Sequence, residues 1–106
     1  MKADSSRPDF FSRNEAEFLG DLLKALGHPV RLQIIDILVQ GEQSVNDLAE
    51  MVSQQQAIVS QQLKILRLSG MVQSRRQDGK ALYSITVPNL KSMMSCLRGC
   101  KAAHGE

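Results

Sequence analysis

The stretch that most constrains this chain runs from Ser53 to Met71, SQQQAIVSQQLKILRLSGM. Ile58, Val59, Leu63 and Leu66 fall on one side of a 3.6-residue repeat, with Ile65 and Leu68 as further apolar positions. Gln61, Gln62, Lys64 and Arg67 take the other side, with Gln56 and Ser60 near its leading end, and the stretch contains no acid. Such a helix must bury one face and leave an open face of amide, hydroxyl and base. Gln pairs bidentately with adenine, Ser serves either base, and Lys and Arg reach guanine or phosphate, so that face suits a DNA major groove. An ordinary amphipathic surface helix carries the same pattern, and the flanking sequence decides between the two.

Upstream, Ser44 to Met51 reads as a short helix with a Ser44/Asp47 capping box and Val45, Leu48, Ala49 and Val52 turned inward. A tight turn over 52–55 joins it to the glutamine-rich helix, which makes the pair a helix-turn-helix. Downstream of Gly70 the period drops from 3.6 to 2. Val72, Ser74 and Arg76 alternate with Met71, Gln73 and Arg75, then Asp78-Gly79 marks a two-residue hairpin turn. The return strand KALYSIT sets Ala81, Tyr83 and Ile85 against Lys80, Leu82 and Ser84. From Lys64 to Lys80, five bases (Lys64, Arg67, Arg75, Arg76, Lys80) face one acid, Asp78, although the whole chain is only +2. A basic hairpin behind a reading helix is a wing, and its tip should lie at the phosphate backbone or minor groove. Base contacts are expected from Gln56, Ala57, Ser60 and Gln61. Lys64, Arg75, Arg76 and Lys80 are expected at phosphates, each wing arginine contributing about one unit of salt slope.

The rest of the chain frames this unit. Residues 1–13 read as a flexible arm, with Phe10 and Phe11 as candidates for docking on a neighbour. A helix follows from Asn14, capped by that residue, with Phe18, Leu19, Leu22, Leu23 and Leu26 apolar and Gly27 closing it in a left-handed conformation. His28 is a turn residue. Pro29 starts a nearly all-apolar, buried helix (Val30, Leu32, Ile34, Ile35, Ile37, Leu38) that Gly41 ends. Pro88 opens a last helix over 88–103 whose Leu90, Met93, Met94, Leu97 stripe suggests a dimer contact. The expectation is a mostly α (α+β) winged helix-turn-helix, five helices with a two-stranded β-hairpin wing, in one domain over 14–106. At 4% aromatic and without Trp, its core must be built of Leu, Ile, Val and Met. No apolar run approaches membrane length and the start lacks a signal-type apolar region, which points to the cytoplasm. No acid pair, Ser/His/Asp set or glycine-rich phosphate loop argues for an enzyme.

Cys96 and Cys100 are the only cysteines; they stand four apart on the last helix, with His104 one turn further on. Two thiolates so placed can grip arsenite, antimonite, Cu(I), Cd²⁺ or Zn²⁺, with His104 or a cysteine of a second copy completing the shell. An intrahelical disulfide is harder, because the Cβ vectors diverge, but Gly99 would ease the unwinding it needs. Oxidant or persulfide sensing is therefore open, as is a plain packing role for both thiols.

Several stretches resemble the ArsR/SmtB family of small winged-helix repressors. LLKALGHPVRLQIIDIL is similar to the family's second-helix signature, SVNDLAE to its third helix, VSQQLKILRLSGMV to its recognition helix and RRQDGKALYSI to its wing, together covering roughly 16–100. The resemblance implies a homodimer that binds a palindromic double-stranded operator and releases it on binding an inducer: a metal, arsenite or antimonite, or reactive sulfur and oxidants. It also implies which family sites are missing. The C-V-C metal motif falls on Ser44-Val45-Asn46, the zinc-sensing last helix offers Asn89 and Cys100, and the second-helix cysteine of dithiol sensors is Asp36. The usual L-S-Q before the recognition helix reads Gln54-Gln55-Gln56. Cys96 and Cys100 are left as the sensing candidates; a winged-helix module that binds protein instead of DNA is the alternative from another class.

Overall fold

The computed structural model describes residues 9–103. In chain order these form α1 (Arg13–Leu26), α2 (Pro29–Leu38), β1 (Gln43–Ser44), α3 (Val45–Val52), α4 (Gln56–Leu68), β2 (Val72–Gln77), β3 (Lys80–Ile85) and α5 (Leu90–Ala103). The five helices and the hairpin are those expected. One strand is added: β1 pairs antiparallel with β3, Gln43 opposite Tyr83 and Ser44 opposite Leu82, so the sheet has three strands in the order β1-β3-β2. Two residues are too few to display a period of two, which is why the sequence pattern misses this strand.

α1 starts at Arg13 and is capped by Ser12, not Asn14. The Ser12 hydroxyl accepts from the Glu15 N–H at 3.1 Å, and Glu15 Oε1 accepts from the Ser12 N–H at 2.8 Å. Ser with an acid three residues on satisfies two end groups at once, so this register wins. The arm expected over 1–13 therefore gives up its last residues to α1, and residues 1–8 lie outside the described ones. Gly27 closes α1 at φ −80°, not in the left-handed region. The chain turns there by short-range bonds instead, Gly27 N–H to Lys24 O and His28 N–H to Leu26 O. His28 does more than turn: its Nδ1 accepts from the Val30 N–H at 3.1 Å and caps α2, with Pro29 in the first turn.

The core gathers Ile34, Ile35, Leu48, Val59, Leu63 and Leu66, all fully buried, with Met71, Val72, Leu90 and Met94 closing it on the sheet and α5 sides. Leu, Ile, Val and Met indeed carry it. Burying each such side chain contributes about 1.5–3 kcal/mol. Neither α1 nor α2 is as buried as its apolar content suggests. Of α1 only Leu22, Ala25 and Leu26 are inside, while Phe18 and Leu23 stay largely exposed. Of α2 only Ile34, Ile35 and Leu38 are buried, and Leu32 lies at the surface. α5 begins at Leu90, two residues after Pro88, because Asn89 adopts φ +68° in the intervening turn. Its Leu90 and Met94 dock on the core, whereas Leu97 is exposed, so only the leading turns are packed.

Candidate nucleic-acid interface and thiol pair

α4 is held from behind. Val59, Leu63 and Leu66 are wholly buried against the core and fix the helix's rotation. That rotation leaves Gln56, Ala57, Ser60, Gln61 and Lys64 exposed together. Positions 56, 60 and 64 repeat at four-residue steps, with 57 and 61 alongside, so they form one continuous strip. Gln62 leaves the polar face on which the sequence places it. It is buried, and its side-chain oxygen accepts from Arg31 Nη1, 31 residues away, at 2.9 Å. The substitution of glutamines for the usual leader has a visible effect: Gln55, the N-cap, makes no side-chain cap bond. The preceding turn passes through Ser53 at φ +56°. α3 is capped by Ser44, whose hydroxyl accepts from the Asp47 N–H at 3.2 Å. Only this arm of the expected box forms among the described residues, since Asp is a methylene shorter than the Glu that completes the box at α1.

The wing closes as expected. Gln77 pairs with Lys80, and Asp78 and Gly79 both take positive φ (+53° and +79°), the geometry of a type I′ turn. The register then separates two arginines that the sequence groups together. Arg76 lies opposite Ala81, and Arg75 opposite Leu82, so the two side chains leave opposite faces of the sheet. Arg76 is on the face of Val72 and Tyr83, which pack on the core, and its Nη2 donates to Gly79 O at the tip. Arg75 is on the outer face, where it meets Glu42: Nε donates to Oε2 at 2.8 Å and Nη2 to Oε1 at 2.7 Å. This bidentate hydrogen bond holds the Glu42 carboxyl below the ordinary glutamate range and raises the Arg75 guanidinium. Nothing local in the sequence marks Glu42 as the partner of an arginine 33 residues away. Lys80 is exposed beside the turn.

Cys96 and Cys100 are free thiols, both exposed on the part of α5 beyond its packed turns. His104 lies outside the described residues. Among the described residues, no three His, Cys, Asp or Glu side chains gather where they could share a metal ion. Asp36, at the position the resemblance gives to a second-helix cysteine, does face α5, but it meets Arg98, whose Nη1 donates to both carboxylate oxygens at 2.9 and 3.1 Å. An ion pair therefore occupies the α2–α5 contact. No helix among the described residues is long and apolar enough to cross a membrane.

Comparison with known proteins matches this architecture. The family profile for "Bacterial regulatory protein, arsR family" matches residues 28–74, from the cap of α2 into β2. The chain is 36% identical over 97 residues to the biofilm growth-associated repressor of Xylella fastidiosa, an alignment that spans 89% of this chain and 85% of that protein. The crystal structure of the transcriptional repressor BigR from Xylella fastidiosa superposes at a TM-score of 0.76 and 35% identity, over 85% of this chain and 96% of that one. The solution structure of the homodimeric winged helix-turn-helix DNA-binding domain of Mb0332 from Mycobacterium bovis superposes at 0.71 and 26% identity, over 92% of each chain.

Proposed function

As the chain belongs to the ArsR/SmtB family of transcriptional repressors and is not an enzyme, we propose that it binds a palindromic double-stranded operator as a homodimer in the cytoplasm. A soft inducer, arsenite, antimonite or another thiophilic metal ion, would release it by binding Cys96 and Cys100. The observation that carries the DNA reading is the exposed strip of α4, polar, acid-free and rigidly seated on Val59, Leu63 and Leu66. In this reading Gln56, Ala57, Ser60 and Gln61 read base edges, and Lys64 with the tip residues Arg76 and Lys80 holds phosphates. Two such strips must sit one helical turn of DNA apart, about 34 Å, to meet both half-sites. An inducer that favours a different arrangement of the two α5 helices would change that separation. Two thiolates leave the shell of such an ion incomplete, and His104 or a cysteine of a second copy would supply the rest. A second reading keeps the DNA function and makes the pair a sensor of reactive sulfur or oxidants; the solvent exposure of both thiols favours it.

The test starts with duplexes selected from a random pool by the full-length protein. A two-fold symmetric consensus, with log affinity falling linearly in log salt, is expected. Absence of salt-dependent binding to every duplex overturns the reading in favour of a protein-binding module. Binding is then repeated with arsenite, antimonite, Cd²⁺, Zn²⁺, Cu(I) and polysulfide, on wild type and on Cys96→Ser/Cys100→Ser. Release of wild type but not of the variant is expected; a variant that responds like wild type to every compound removes the cysteine site. Intact mass separates the two inducer readings by a bound metalloid or metal against added sulfur or the loss of two hydrogens.

A further inference from the structure

The Glu42–Arg75 pair is a bidentate contact between segments 33 residues apart, and its place in the sheet gives it a purpose. β1 pairs with β3 through Gln43–Tyr83 and Ser44–Leu82, so Glu42 stands one step before β1, level with Ser84. By alternation Glu42, Ser44, Leu82 and Arg75 share the outer face. The contact therefore spans β3, linking the loop at the end of α2 to β2, the strand furthest from it in the order β1-β3-β2. β2 is otherwise an edge strand, and five of its six residues, Gln73 to Gln77, are exposed. Only Val72 anchors it in the core. β2 is held by its six-residue ladder to β3, whose Tyr83 and Ile85 pack on the core, and a contact on the outer face adds to that ladder in setting the lie of the wing.

Position along the wing argues in the same direction. Arg75 lies three residues before Asp78, about 10 Å back from the turn at about 3.3 Å per residue. Arg76 and Lys80 flank the turn itself. A wing that meets a duplex with its tip presents those two, while the Arg75 guanidinium is already turned toward the body of the protein with two of its nitrogens occupied. A fork-to-fork pair also fixes direction as well as distance, which a Lys–Glu contact would not.

We infer that Arg75 and Glu42 are positioning residues for DNA binding: they form a strap across β3 that sets the angle of the wing relative to α4, so that Arg76 and Lys80 reach phosphate when α4 lies in the groove. This rests on the proposed DNA reading and assigns Arg75 a different task from its two neighbours. The contact is solvent-exposed, with side-chain exposures of 55% and 34%, so its effect is modest: about fivefold or less in any equilibrium it governs.

Two measurements test it. The first needs no DNA: amide exchange of β2 and β3 in the full-length protein. Glu42→Gln and Arg75→Gln should each speed exchange in the wing by about two- to fivefold, without change in α2 or α4, and the exchanged pair Glu42→Arg/Arg75→Glu should restore it. Unchanged wing exchange in both single variants overturns the strap, whatever the DNA result. The second is binding to the selected duplex across a salt series. Both single variants should weaken binding by the same factor with the salt slope unchanged, the double Glu42→Gln/Arg75→Gln should be no weaker than either, and the exchanged pair should regain most of the loss. If Arg75→Gln lowers the slope by about one unit while Glu42→Gln binds as tightly as wild type or tighter, Arg75 is a phosphate contact and the strap is wrong. A wild type that binds no duplex defeats the proposed function instead, and amide exchange still decides the strap.

Discussion

A single guanidinium joins three helices near the back of the reading helix. Arg31, on α2, donates from Nε to Ala25 O of α1 at 2.6 Å and from Nη1 to the Gln62 side chain of α4 at 2.9 Å. Gln62 is buried, at 8% exposure, and its amide oxygen loses its Arg31 donor if that side chain is removed. Arg31→Leu should therefore destabilise the fold by about 1–2 kcal/mol, the cost of taking the donor from two part-buried acceptors, as read by urea unfolding. Gln62→Leu should cost less, because Arg31 keeps its bond to Ala25 and is itself only half-buried. Equal losses for the two would mean that Arg31 does not act through Gln62. This pair also marks where reading from sequence stops. Helical spacing puts Gln62 beside Gln61 on the polar side, whereas in the fold it is buried with a donor 31 residues away. The HPVRL stretch draws the eye to Arg31, yet no local pattern names its partner. Ser12 is a different case: its S-x-x-E box with Glu15 is a local signal, and it outcompetes the cap that Asn14 offers.

At the scale of elements, most of the fold was legible because each element announces itself by its own period and stops. The apolar repeat of α4, the Asp78-Gly79 turn and the switch from 3.6 to 2 at Gly70 are local signals, and the structure keeps them all. What was not legible depends on neighbours: the two-residue β1, the outer-face pairing of Arg75, and the depth to which α1, α2 and α5 are buried. α5 shows why. Its stripe of Leu90, Met93, Met94 and Leu97 is continuous in sequence, but the core of one chain is wide enough to cover only the first part of it. The exposed remainder includes Gly99, where a Cβ would meet nothing within 4 Å. Glycine inside a helix costs about 0.5–1 kcal/mol relative to alanine. Gly99→Ala should then raise the stability of the isolated chain by up to about that amount, read as an increase in Tm at low protein concentration. A decrease in Tm would show that this face of α5 is already in close contact with something in solution.

At the scale of the whole molecule, exposed apolar side chains occur on the reading unit, as Met51, Ile65 and Leu68, and on the helices that frame it. Phe18 and Leu23 on α1, Leu32 on α2 and Leu97 on α5 all lie at the surface, in a chain that has few large apolar residues to spare. Surfaces of that kind mark contact sites when they are contiguous. The DNA reading requires two α4 helices held at a fixed separation, and a second copy seated on these helices would supply both the separation and the cover. Joining two half-site readers makes the second contact intramolecular, which is where most of an operator's affinity would come from. Leu97→Glu places a charge in that proposed contact but outside the core, because Leu97 is 39% exposed in the single chain. The variant should keep its helical circular dichroism and sediment as a monomer, and its affinity for the two-fold operator should fall by about a hundredfold or more. Affinity for a single half-site should change little, since α4, Arg76 and Lys80 are untouched. A Leu97→Glu protein that remains dimeric would move the contact to α1, and Leu23→Glu would then be the variant that separates the copies. Retention of operator affinity by a proven monomer would contradict the requirement for two linked reading helices, leaving α4 and the wing to recognise the site alone.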